Sequence, residues 1–85
     1  MKILVADDDA ISRKVLKSLL QKRGHEVSCV GNGAAALYAI QNDDPDLVLL
    51  DIKMPLLSGY EVIREVRSQN WARRNLPIIA VTALA

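Results

Sequence analysis

Ile3-Leu4-Val5-Ala6 runs directly into Asp7-Asp8-Asp9, and Leu47-Val48-Leu49-Leu50 runs directly into Asp51. An apolar run that ends abruptly at an acid has the pattern of a buried parallel strand delivering its last residue to a crevice. Open α/β sheets place their ligand sites at such strand ends. If the two strands are neighbours, about 4.8 Å apart, Asp7, Asp8 and Asp51 share one small pocket. Like charges that close repel unless one carboxyl is protonated or a cation neutralises them. A hard divalent ion with oxygen ligands suits that pattern, Mg²⁺ by preference and Mn²⁺ as its substitute. The plainer reading of Asp7 to Asp9 is helix capping, but a cap needs only one acid.

Working outward, residues 2–6 form a predicted strand and residues 10–23 a helix. In that helix Ile11, Val15, Leu16, Leu19 and Leu20 recur with helical spacing, which predicts one buried face. Asp8 or Asp9 is placed to cap its start, and Gly24 is a left-handed stop. Residues 26–30 form a second strand. Asn32-Gly33 turns the chain into a short Ala-rich helix over 34–40, which ends at Asn42-Asp43-Asp44-Pro45. Residues 46–50 form the third strand, apolar throughout and expected to be buried on both faces. Pro55 keeps the following loop out of any helix or central strand. Ser58-Gly59-Tyr60-Glu61 matches a capping box for a helix to about Ser68, with Val62, Ile63 and Val66 buried. A polar loop from Gln69 to Asn75 contains Trp71, and residues 77–81 form a fourth strand ending at Thr82. Strict strand–helix alternation implies a parallel sheet with right-handed crossovers.

Composition narrows the function classes. The chain has 85 residues, enough for one small domain, with net charge +1, so nothing favours a polyanionic partner. Arg73-Arg74 is too short a basic cluster for nucleic acid. No apolar run approaches the ~20 residues of a membrane span, and no signal peptide is visible. Cys29 is the only cysteine, so an internal disulfide or a multi-cysteine zinc site is impossible, which fits a reducing cytoplasm. Cys29 reads as a small core hydrophobe. His25, the only histidine, cannot build a triad or a multi-histidine metal site, and it reads as a turn residue beside Gly24.

Taken together, Asp7-Asp8 after strand one, Asp51-x-x-Met54-Pro55 with Gly59 after strand three, and Val81-Thr82-Ala83 after strand four resemble the receiver domain of two-component response regulators. The resemblance spans nearly the whole chain. It implies a flavodoxin-like, doubly wound sheet of order 2-1-3-4-5, a topology for which a chemotaxis receiver is a standard example. It implies that Asp51 is the phosphoacceptor, that Asp7, Asp8, Asp51 and the Lys53 backbone carbonyl hold Mg²⁺, and that Thr82 contacts the phosphoryl group and switches. Ile11, and less readily Val15, would dock a helical phosphodonor. The partner would be a sensor histidine kinase or a histidine phosphotransfer protein. The domain would be a cytoplasmic signalling module and not an enzyme with a separate metabolite as substrate.

The sequence departs from the family at its end. Family members continue beyond Thr82-Ala83-Leu84-Ala85 with a helix, a strand and a final helix, including a lysine that pairs with the phosphoryl group and an aromatic residue that rotates on activation. Residues 1–85 are therefore expected to be a single receiver domain that is incomplete at its C-terminus. An exposed fourth strand and an uncovered apolar face would favour self-association. The competing reading is a receiver-like interaction module, or an inactive fragment, that is never phosphorylated. A nucleotide- or flavin-binding protein is disfavoured, because the first strand-to-helix turn carries three aspartates where a Gly-rich phosphate loop would be needed.

Overall fold

The computed structural model describes residues 1–54, 57–68 and 75–81. Strands β1 (Lys2–Ala6), β2 (Glu26–Val30), β3 (Leu47–Asp51) and β4 (Ile78–Val81) alternate with helices α1 (Ala10–Lys22), α2 (Gly33–Asp43) and α3 (Gly59–Ser68). The strands form one parallel sheet of order β2-β1-β3-β4. These are the first four positions of the expected 2-1-3-4-5 order, with the two aspartate-bearing strands side by side at the centre.

Strand alternation sorts the side chains into two layers. Leu4, Ala6, Val48 and Leu50 join Ala36, Ala39 and Ile40 of α2 and Val62 and Val66 of α3 in the larger core. The Ala-rich face of α2 has a packing reason: Ala36 and Ala39 are buried, and small residues there let the helix lie close to its neighbours. On the opposite layer, Ile3, Val5 and Val27 are buried, with Leu16, Leu20, Cys29, Leu47 and Leu49 half-buried around them.

The second layer corrects two expectations. None of the residues of α1 is fully buried. Leu16 and Leu20 pack on the sheet, but Ile11, Val15 and Leu19 are 73%, 52% and 53% exposed. Val15, expected in the core, is therefore a surface residue. Periodicity marks an apolar face but does not say how much of it is covered. Nor is β3 buried on both faces, because Leu47 and Leu49 are only half-buried on the α1 side.

Boundaries shift modestly. Asn32 caps α2 by accepting the Ala35 amide at 2.7 Å, so that helix begins at Gly33 and runs on to Asp43. Asp44 then takes a left-handed conformation, φ 55°. Gly24 stops α1 with φ 87°, as its sequence position predicts. Thr82, Trp71, Pro55 and Arg73-Arg74 lie outside the described residues.

At the start of α3, the Ser58 hydroxyl accepts the Glu61 amide at 3.3 Å and donates to the Glu61 carboxylate at 3.2 Å. The Gly59 amide donates to the Ile52 carbonyl at 2.9 Å. A Cβ at position 59 would lie 2.7 Å from both the Asp51 carbonyl oxygen and the Ile52 Cα. Glycine is thus required because α3 begins against the backbone that leaves β3. Gly59→Ala should destabilise the fold by about 1–3 kcal/mol through this overpacking, read as a lower urea midpoint. An unchanged midpoint would contradict the close approach.

Candidate functional site

The sheet register builds the site. Ala6 of β1 is the partner of Leu50 of β3, so the residues that follow, Asp7 and Asp51, emerge side by side. Asp51 is buried, Asp7 half-buried and Asp8 exposed. One carboxylate oxygen from each of Asp7, Asp8 and Asp51 can be chosen so that all lie within 4.8 Å of one another. They border a cavity of about 410 Å³, completed by Ile11, Val15 and Val81 among others.

Asp9 stands apart from this group. Its carboxylate accepts the Ile11 amide at 3.0 Å and the Ser12 hydroxyl at 3.0 Å, which caps α1. The choice between Asp8 and Asp9 as cap is therefore resolved in favour of Asp9, and Asp8 remains with the pocket.

Local hydrogen bonds fix Asp7 and Asp51. The Asp7 amide donates to the Val30 carbonyl of β2 at 3.1 Å, and its carboxylate accepts the Asp9 amide at 2.9 Å. The Asp51 Oδ1 accepts the Lys53 amide at 3.0 Å, a tight turn that orients the carboxylate. This contact uses the Lys53 N–H and does not involve its carbonyl, the group that the resemblance assigns to the ion. Arg13, unmarked in the sequence, donates from Nη1 to the Asp7 carbonyl at 2.7 Å. No local pattern announces that bond, because it spans the turn between β1 and the second turn of α1.

The residues suit a hard cation. Oxygens around one octahedral Mg²⁺ lie about 3.0–4.2 Å apart, from a bond length of about 2.1 Å. A group within 4.8 Å needs only a small closure, or one water as an intermediate ligand. The donor set, carboxylate only, also excludes a preference for soft metals.

The electrostatics agree. Burial raises the Asp7 carboxyl above its ordinary 3.8, the Asp9 amide opposes this, and the charges of Asp51, Asp8 and Asp9 add to the rise. Asp7 thus holds its proton more tightly folded than unfolded. Below pH 3.8 both states are protonated and stability is unaffected. As pH rises from there through the raised folded value, ionisation costs stability, and the whole cost is present at neutral pH. Asp7→Asn should therefore melt higher than wild type at pH 7 without divalent ions, with the gap closing on acidification below about pH 4. Mg²⁺ should raise the melting temperature of the wild type much more than that of the variant. A lower melting temperature for Asp7→Asn at pH 7 would contradict this account.

Comparison with known proteins supplies the family. Residues 3–85 match the family described as the response regulator receiver domain. A probable transcriptional regulator, ycf27, of Galdieria sulphuraria is 40% identical over 83 residues, covering 98% of this chain and 31% of that protein. The chain thus spans about a third of the length of that relative. The N-terminal domain of a response regulator receiver protein from Methanoculleus marisnigri superposes with a TM-score of 0.91 at 32% identity, covering 98% of this chain and 67% of that one. The receiver domain of a Pseudomonas aeruginosa sensor histidine kinase, with a magnesium ion coordinated in its active-site cleft, superposes with a TM-score of 0.89 at 34% identity, covering 96% and 66%. With the aspartate-bearing strands adjacent and the parallel order in place, the chain belongs to the response regulator receiver domain family.

Proposed function

We propose that this chain is the phosphoacceptor module of a two-component phosphorelay, taking a phosphoryl group from a phosphohistidine onto Asp51. The observation that carries this reading is the convergence of the Asp7, Asp8 and Asp51 oxygens within 4.8 Å, with Asp51 buried at the end of a central strand. A magnesium ion, when bound, would neutralise charge on the phosphoryl oxygens. Asp7, Asp8, Asp51 and the Lys53 carbonyl would hold it. The Asp51 carboxylate, oriented by the Lys53 amide, attacks phosphorus. A P–O bond forms to Asp51, the P–N bond to the donor imidazole breaks, and the imidazole nitrogen keeps the electron pair and takes a proton. The hydroxyl of Thr82, the residue that follows β4 in the sequence, would donate a hydrogen bond to a phosphoryl oxygen and couple the modification to a conformational change.

The donor would be a sensor histidine kinase or a phosphotransfer protein, docking on Ile11 and Val15, which are exposed and border the acidic cavity. The chain would act as a switch and not as an enzyme with its own metabolite. No described helix is long and apolar enough to cross a membrane, and action in the cytoplasm, without direct contact to nucleic acid, fits this role.

Intact mass after incubation with a small-molecule phosphodonor tests the reading. The expected result is a gain of one phosphoryl group, absent without Mg²⁺ and absent in Asp51→Asn. A folded, Mg²⁺-binding sample that gains nothing would favour the alternative, a receiver-like interaction module that is not phosphorylated.

The 85-residue polypeptide by itself should also self-associate. Among the described residues β4 is an edge strand, paired only with β3, and Ile79, Val81, Ile11, Val15 and Leu19 are exposed. An edge strand and an apolar surface of this kind both favour pairing. Concentration-dependent sedimentation is the expected result. A monomeric species that melts cooperatively in calorimetry would overturn it.

A further inference from the structure

Arg13 crosses from α1 to the turn that carries two of the pocket acids, and nothing in the phosphoacceptor reading uses it. Its Nη1 donates to the Asp7 carbonyl at 2.7 Å in a half-buried position. That carbonyl belongs to the peptide unit that also contains the Asp8 amide. Charge-assisted hydrogen bonds of this kind are stronger than neutral ones, so the guanidinium sets the tilt of the Asp7–Asp8 peptide plane. Asp8 needs such support, because its own carboxylate has no hydrogen-bond partner among the described residues.

The space for Arg13 is provided across the sheet. A Cβ at Gly31, just beyond β2, would lie 3.2 Å from Arg13 Nη1 and 3.8 Å from Cζ. The preceding residue, Val30, supplies the carbonyl that binds the Asp7 amide at 3.1 Å. Both sides of Asp7 are thus clamped from a neighbouring element: its N–H by β2 and its C=O by Arg13 seated over Gly31.

We infer that Arg13, with the room Gly31 leaves it, is a positioning residue for the divalent-ion pocket, aiming Asp8 through the Asp7–Asp8 peptide. The inference rests on the cation-binding reading of that pocket. It opposes simple electrostatics in sign. A guanidinium near three carboxylates repels a cation, so removing it should tighten Mg²⁺ binding if charge alone mattered. Loss of positioning should weaken it.

The test is Mg²⁺ titration calorimetry on wild type, Arg13→Met, Arg13→Lys and Gly31→Ala, with the folded fraction of each established by circular dichroism. Arg13→Met keeps the apolar stem and removes charge and donor; Arg13→Lys keeps the charge and a donor. We expect Arg13→Met to weaken binding about tenfold, the lower end of the losses seen when the supports of metal ligands are removed. Arg13→Lys should recover most of that loss, and Gly31→Ala should weaken binding by a smaller factor. Unchanged or tighter binding by folded Arg13→Met overturns the inference. If Arg13→Met does not fold, Gly31→Ala decides: weaker binding supports the positioning role and unchanged binding overturns it. A folded wild type that binds no Mg²⁺ overturns the cation reading, and this inference falls with it.

Discussion

Asp7 and Asp51 stand together because Ala6 and Leu50 are register partners in adjacent parallel strands. The rest of the structure depends on holding these like charges in place. Burial does most to raise the proton affinity of Asp7, and the charges of Asp51, Asp8 and Asp9 add to the rise, so ionising these acids together is unfavourable. The apolar strands supply the opposing free energy: burying a side chain such as Leu4 or Leu50 contributes about 1.5–3 kcal/mol. Short backbone clips then aim the acids. The Val30 carbonyl accepts from the Asp7 amide, Asp51 Oδ1 accepts from the Lys53 amide, and α3 starts against the backbone beyond Asp51 through Gly59. A cation would turn the mutual repulsion into shared attraction.

The two layers of the sheet are unequal, and the inequality has a functional side. The layer under α2 and α3 is closed over a continuous core. The layer under α1 is thinner, and it leaves an apolar stripe along that helix. The near end of the stripe, Ile11 and Val15, borders the acidic cavity. An apolar rim beside a charged pocket would suit the docking of the proposed phosphodonor, because contact and chemistry could then occur at one place.

Much of this was legible in the chain. Strand ends were marked by the abrupt change from Leu50 to Asp51 and from Ala6 to Asp7, and adjacency of those strands followed from the family order. The helix stop at Gly24 and the Ser58–Glu61 cap were marked by residue type. Three features were not legible, for physical reasons. The division of labour between Asp8 and Asp9 depends on backbone direction at the turn, which two identical side chains cannot reveal. The exposure of Val15 and Leu19 depends on how much of an apolar face other elements cover, which periodicity does not encode. Arg13 and Gly31 act through a contact between elements distant in sequence, and neither residue type is unusual at its position.

The central claim is that Asp7, Asp8 and Asp51 form one divalent-ion pocket at the ends of β1 and β3. Paramagnetic broadening of backbone amide resonances by substoichiometric Mn²⁺ tests it most directly. The account predicts selective loss of signals from residues 6–9 and 51–53, restored by competition with excess Mg²⁺. Broadening centred elsewhere, such as on Asp43, Asp44 and Asp46, or an even effect over all exposed acids, would contradict it.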